Sequence, residues 1–80
     1  MLESLTNGER IVGTKQVLKA ISSGVLKCVY IAEDVEPFLY SKLYSACETA
    51  GTPVVLVNTM SELGKACGID VGAACAGIVK

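Results

Sequence analysis

The sequence predicts an α/β domain, because four strand-like runs alternate with three helix-like runs along its 80 residues. Each helix-like run carries its own start signal and stops at a glycine. Just over half of the chain is hydrophobic (51%), with mean hydropathy +0.51, enough to cover both faces of one sheet. The expectation is a single domain over residues 1–80, with helices on both faces of a four-stranded, largely parallel sheet.

The elements follow in order. Asn7-Gly8 marks a turn, and Glu9-Arg10-Ile11-Val12 reads as a short strand that stops at Gly13. The first helix runs from about Thr14 to Ser23, with Thr14 as the N-cap, Val17, Leu18 and Ile21 as the apolar stripe, and Gly24 as the stop. Lys27 to Ala32 is a nearly continuous apolar run, as a strand covered on both faces requires. Asp34 and Glu36 ahead of Pro37 announce the second helix. Its buried face is Leu39, Leu43, Ala46, Cys47 and Ala50, and Gly51 ends it. Tyr40 and Tyr44 lie one turn apart on its flank, where packing on the surface is expected rather than a stacking platform. Val54 to Val57 is a short buried strand. Thr59 and Glu62 form a capping box ahead of Leu63, Ala66 and Cys67, and Gly68 ends that third helix. Ile69 to Ala73 reads as a loop and Ala74 to Val79 as the last strand.

Composition excludes much chemistry. The chain has no histidine, which removes Ser-His and Cys-His nucleophile pairs. Gly8 to Lys15 has the length of a phosphate-binding loop, but Thr14-Lys15 reverses the required Lys-then-Ser/Thr order, and there is no G-x-G-x-x-G. Cys28, Cys47, Cys67 and Cys75 form no C-x-x-C pair, so neither zinc nor a disulfide framework is expected, only small hydrophobes in a reducing compartment. No apolar run is long enough for a membrane span, and Met1 to Leu5 lacks a signal-peptide pattern, so the expectation is a cytoplasmic protein. No cofactor and no small-molecule substrate are expected. Net charge is −1 and the pI about 5.2, which argues against a binder that works by bulk positive charge.

One segment runs against the grain. Lys15 and Lys19 stand near the positive pole of the first helix, where a cation costs about a few tenths of a kcal/mol and an acid would gain as much. Together with the free backbone N–H groups of the helix start and the amide of Gln16, they suit an anionic ligand with hydrogen-bonding edges, of which nucleic acid is the obvious one. A second segment places Ile69 and Val71 around Asp70, with Gly68 and Gly72 near by. Pattern alone favours both apolar residues in the core; the other reading is an exposed lip for an unstacked base.

Three segments carry a family resemblance over about residues 10–80: Gly13-Thr14-Lys15-Gln16-x-x-Lys19, Ile31-Ala32-Glu33-Asp34-Val35-Glu36-Pro37 and Leu63-Gly64-x-Ala66-Cys67-Gly68-Ile69. In this order and spacing they resemble the kink-turn RNA-binding ribosomal protein family L7Ae, and its short stand-alone bacterial members above all. The resemblance implies a three-layer α/β/α sandwich whose four-stranded sheet is mixed rather than parallel. It also implies a partner: structured RNA, ribosomal or regulatory, with tandem sheared G·A pairs beside a three-nucleotide bulge. Lys15, Gln16 and Lys19 would then meet guanine edges and phosphates, backbone at Gly13 and Thr14 a phosphate or base, and Glu36 the extruded nucleotide. Ile69, Asp70, Val71, Gly72 and Ala73 match the loop that covers the bulge. Two departures stand out, Lys15-Gln16 in place of a frequent Asn-Glu, and Met60 in place of a lysine; both imply altered, weaker contacts. The expected actor is a monomer, with a protein–protein adaptor of the same fold as the alternative.

Overall fold

The computed structural model describes residues 10–69 and 71–80. The expected Asn7-Gly8 turn, Glu9 of the first strand and Asp70 lie outside the described residues. Seven elements follow in order: β1 (Arg10–Val12), α1 (Thr14–Ser23), β2 (Leu26–Ala32), α2 (Pro37–Ala50), β3 (Val54–Val57), α3 (Met60–Ala66) and β4 (Cys75–Val79).

The four strands lie in the order β1-β4-β2-β3. β2 and β3 are parallel, with Val29 opposite Val54 and Ala32 opposite Val57. β4 runs antiparallel to both of its neighbours, pairing Val12 with Ala76 on one side and Ile31 with Cys75 on the other. The largely parallel expectation therefore holds for β1, β2 and β3 and fails for β4, which enters the sheet reversed, between β1 and β2. Apolar runs of small and branched residues look alike in either direction, so pattern carries no sign for β4. The mixed sheet implied by the family resemblance is the one found.

Handedness then fixes the layers. β1→α1→β2 and β2→α2→β3 step in the same direction across the sheet, so right-handed crossovers put α1 and α2 on one face. There they pack side by side, whereas α3 lies against β2, β3 and β4. The core is built from Val17, Ala20 and Ile21 of α1, Leu43 and Cys47 of α2, Leu63 of α3 and most of β2 and β4. No charged side chain is buried among the described residues, and Tyr30 is the largest side chain in the core.

The helix ends show why the chain turns where it does. All three helices close by the same device: the glycine after the last turn donates its N–H to the carbonyl three residues back, and the next residue to the carbonyl five back. The starts differ from one another. Thr59 caps α3 as expected, its hydroxyl accepting the Glu62 N–H at 3.1 Å. Thr14 does not cap α1. It is the first helical residue, the N-cap position falls to Gly13, and no side chain caps this start. Asp34 does not serve α2 either: its Oδ1 accepts the Met60 N–H at 2.8 Å, at the start of α3, 26 residues along the chain. The last strand begins at Cys75, one residue later than expected.

Candidate nucleic-acid interface

Because β1, β2 and β3 are parallel, the helices that follow them all begin at the same end of the sheet. The loop that returns from α3 to β4 arrives at that end too. Five hydrogen bonds tie the junctions together. Gly13 N–H donates to the Cys75 carbonyl (3.4 Å), Ala32 N–H to Ala74 (3.0 Å) and Glu33 N–H to Val57 (2.8 Å). Ala73 N–H reaches the Met60 carbonyl at 3.0 Å, and Met60 in turn is held by Asp34. The start of α1, the β2–α2 loop and the α3–β4 loop thus share one surface, a proximity the sequence alone did not contain.

Within it, Gly13 has φ 110°, a backbone setting that side chains rarely adopt. The Gln16 amide oxygen folds back over it, so that a Cβ at Gly13 would sit 3.1 Å from Oε1. The Gly13 N–H, expected to meet a phosphate or base, is instead taken by the Cys75 carbonyl, whereas the first-turn N–H groups of Thr14, Lys15 and Gln16 have no side-chain cap and no acceptor from the helix itself. Lys15, Gln16 and Lys19 are exposed around this opening. Thr14 is half-buried and turned inward, where its side chain hydrogen-bonds the Cys75 thiol. Glu36 is exposed at the N-cap of α2, its carboxylate capping nothing, and Pro37 sets the first helical residue.

The α3–β4 loop is held down hard. Gly64 lies directly under the Val71 carbonyl, so that a Cβ there would collide with backbone, and Gly72 rests against Met60. Arg10 donates from Nη2 to the Cys67 carbonyl at 2.6 Å, fixing the far side of the loop at the C-terminal end of α3. Against this anchored backbone, Ile69 is 36% and Val71 70% exposed, so the expectation that both tuck into the core is overturned and the exposed lip is what forms. Ala73 is buried with its N–H bonded, and therefore anchors the loop instead of presenting a side chain. Arg10 keeps its charge and its other N–H donors while it holds this carbonyl.

The four cysteines are free thiols, all but Cys28 buried, and among the described residues no cluster suited to a metal is formed. Burial pushes the Cys75 thiol up to about 11, against a smaller opposing effect of the Thr14 hydrogen bond. Cys28, Cys47 and Cys67 are also raised by burial. The three buried thiols are core atoms with little nucleophilic character. Tyr40 and Tyr44 stack on one another at 6.1 Å between ring centres, in line with packing on the helix surface. One residue escaped notice in the sequence: Phe38, in the first turn of α2, is 74% exposed. Its signal was an aromatic lying off the stripe of Leu39, Leu43, Ala46 and Cys47.

Comparison with known proteins gives a consistent picture. The family described as ribosomal protein L7Ae/L30e/S12e/Gadd45 matches residues 3–80. An RNA-binding protein of Caldanaerobacter subterraneus is 50% identical over 68 residues, covering 85% of this chain and 83% of that protein. The large ribosomal subunit protein eL8 of Nitrosopumilus maritimus is 41% identical over 75 residues, covering 92% of this chain and 59% of that protein. Among solved structures, a Giardia lamblia 15.5kD RNA binding protein superposes with a TM-score of 0.90 at 31% identity, covering 99% of this chain and 70% of that one. No helix among the described residues is long and apolar enough to cross a membrane.

Proposed function

Because the chain belongs to the ribosomal protein L7Ae/L30e/S12e/Gadd45 family of RNA-binding proteins, we propose that it binds kink-turn RNA, as a monomer, in the cytoplasm and without catalysis. The observation that carries this is the uncapped start of α1, with Lys15, Gln16 and Lys19 exposed around it, standing beside the exposed apolar side chains of Ile69 and Val71. Open N–H groups and lysines take phosphate oxygens, and the Gln16 amide, both donor and acceptor, takes a guanine edge in the widened groove at the G·A pairs. Ile69 and Val71 offer an apolar rest for the bulge bases that the kink pulls from the stack. Glu36 accepts from the extruded nucleotide. Asp70 belongs to the same loop by sequence.

An acidic chain can do this because a kink selects by shape and by a few base edges, with phosphate attraction in a secondary role. Bending follows if the kinked form is bound more tightly than the open one. The test is a dye-labelled duplex with tandem G·A pairs and a three-nucleotide bulge, compared with a twin whose G·A pairs are replaced by G·C. Saturable gain in end-to-end energy transfer with the first alone is expected. In the same assay Gln16→Ala and Lys19→Ala each weaken binding by about 1–3 kcal/mol. An equal or absent response of the two duplexes would remove kink-turn recognition and favour a protein partner for this fold.

A further inference from the structure

The structure points to a second contact with the same RNA, and we propose that Phe38 stacks on an unpaired nucleobase at the mouth of the groove between α1 and α2. This rests on α1 being the RNA-binding helix, and extends the interface to a neighbour that none of the three family-like segments includes.

The groove is lined by Leu18, Ile21 and Ser22 from α1 and by Lys42, Ser45, Ala46, Thr49 and Ala50 from α2. Those residues establish which flanks of the two helices face each other. Phe38 is four residues before Lys42, and so lies on the same flank of α2 one turn nearer its start. Lys15 is three residues before Leu18, on the corresponding flank of α1 one turn nearer its start. The two helices are parallel and begin at the same end of the sheet, which puts Phe38 and Lys15 on either side of the groove's mouth. A ring 74% exposed to water, in a chain with a single phenylalanine and no tryptophan, has no role in the core.

Charge identifies the occupant. The chain as a whole is acidic, yet α1 contains no acid and two lysines, and the groove lining contains Lys42 and no acid. On α2 the sole acid, Glu48, lies on the other flank, beside Tyr44, Val54 and Leu56. An aromatic face, lysines and a row of hydroxyls suit a base with the phosphates that follow it; a second copy or an apolar peptide would make no use of the lysines.

Substitution to tryptophan supplies the probe. Phe38→Trp carries the sole indole in the protein, and its emission is expected to be quenched by the kink-turn duplex at the same midpoint as the gain in energy transfer, and not by the G·C twin. Phe38→Ala should weaken binding about tenfold while leaving thermal unfolding unchanged, and Phe38→Tyr should restore most of the loss. If the native chain does not bend the RNA, the kink-turn assignment itself falls. If it bends the RNA but Phe38→Ala binds equally well and the indole emission does not change, the assignment stands and the stacking contact is overturned.

Discussion

At Cys75 the chain shows how one buried atom ties the interface to stability. Its thiol lies under the start of α1, hydrogen-bonded to Thr14, and burial raises it from an ordinary 9.0 to about 11. The folded state therefore holds this proton more tightly than the unfolded chain does. The stability that goes with it is complete below pH 9 and is lost as pH rises from there towards 11, at about 1.4 kcal/mol per pH unit. Urea unfolding midpoints at pH 7, 9 and 10 should fall steeply above 9, and Cys75→Ala should shallow that fall; an unchanged slope would show that the thiol is not the group responsible. Thr14 also marks where local sequence logic stops. As a hydroxyl after a glycine it has every property of an N-cap, and nothing nearby in sequence tells that Cys75, 61 positions on, will draw it inward. Asp34 teaches the same lesson: it sits where a cap for α2 belongs, yet bonds the start of α3. Lys15, Gln16 and Lys19 were legible because exposure on a short amphipathic helix follows from spacing alone.

Elements behave differently, since their limits are written in short-range signals. The helix stops at Gly24, Gly51 and Gly68 were plain because each glycine performs the same closing hydrogen bonds. The direction of β4 was not plain, and the resemblance to a known family supplied it. The α3–β4 loop is the element on which the lip depends, and its position comes from Gly64, over which the Val71 carbonyl passes. Gly64→Ala must push backbone aside, and backbone does not yield as a side chain would. The expected cost is about 1–3 kcal/mol in urea unfolding, with a further loss of RNA affinity because Ile69 and Val71 move with the loop. Full retention of both would mean that the lip is set by something other than this close approach. The exposure of that lip was the least legible part of the site, for apolar residues between glycines read as core until the anchoring contacts beneath them are known.

On the scale of the whole molecule, the balance of charge limits how the RNA is held. Net charge is −1, and the cations that the proposed interface can offer are Lys15, Lys19 and Lys42, with Arg10, whose charge a carbonyl does not neutralise, beside the α3–β4 loop. Each phosphate neutralised lowers log affinity by about 0.7–0.9 per decade of salt. Titrations between low and moderate salt should therefore give a slope of about −2 to −3.5; a slope twice as steep would indicate broad backbone binding in place of shape selection. The parallel arrangement of α1 and α2 has a consequence for how the partners meet. Both helices end at the opposite pole of the molecule, so their peptide dipoles add, each contributing about half a positive charge where the helix begins. A body whose total charge is repelled by RNA can still be turned by the field of the RNA as it drifts in. It would arrive with the reading end foremost, and fewer collisions would be wasted on the wrong face.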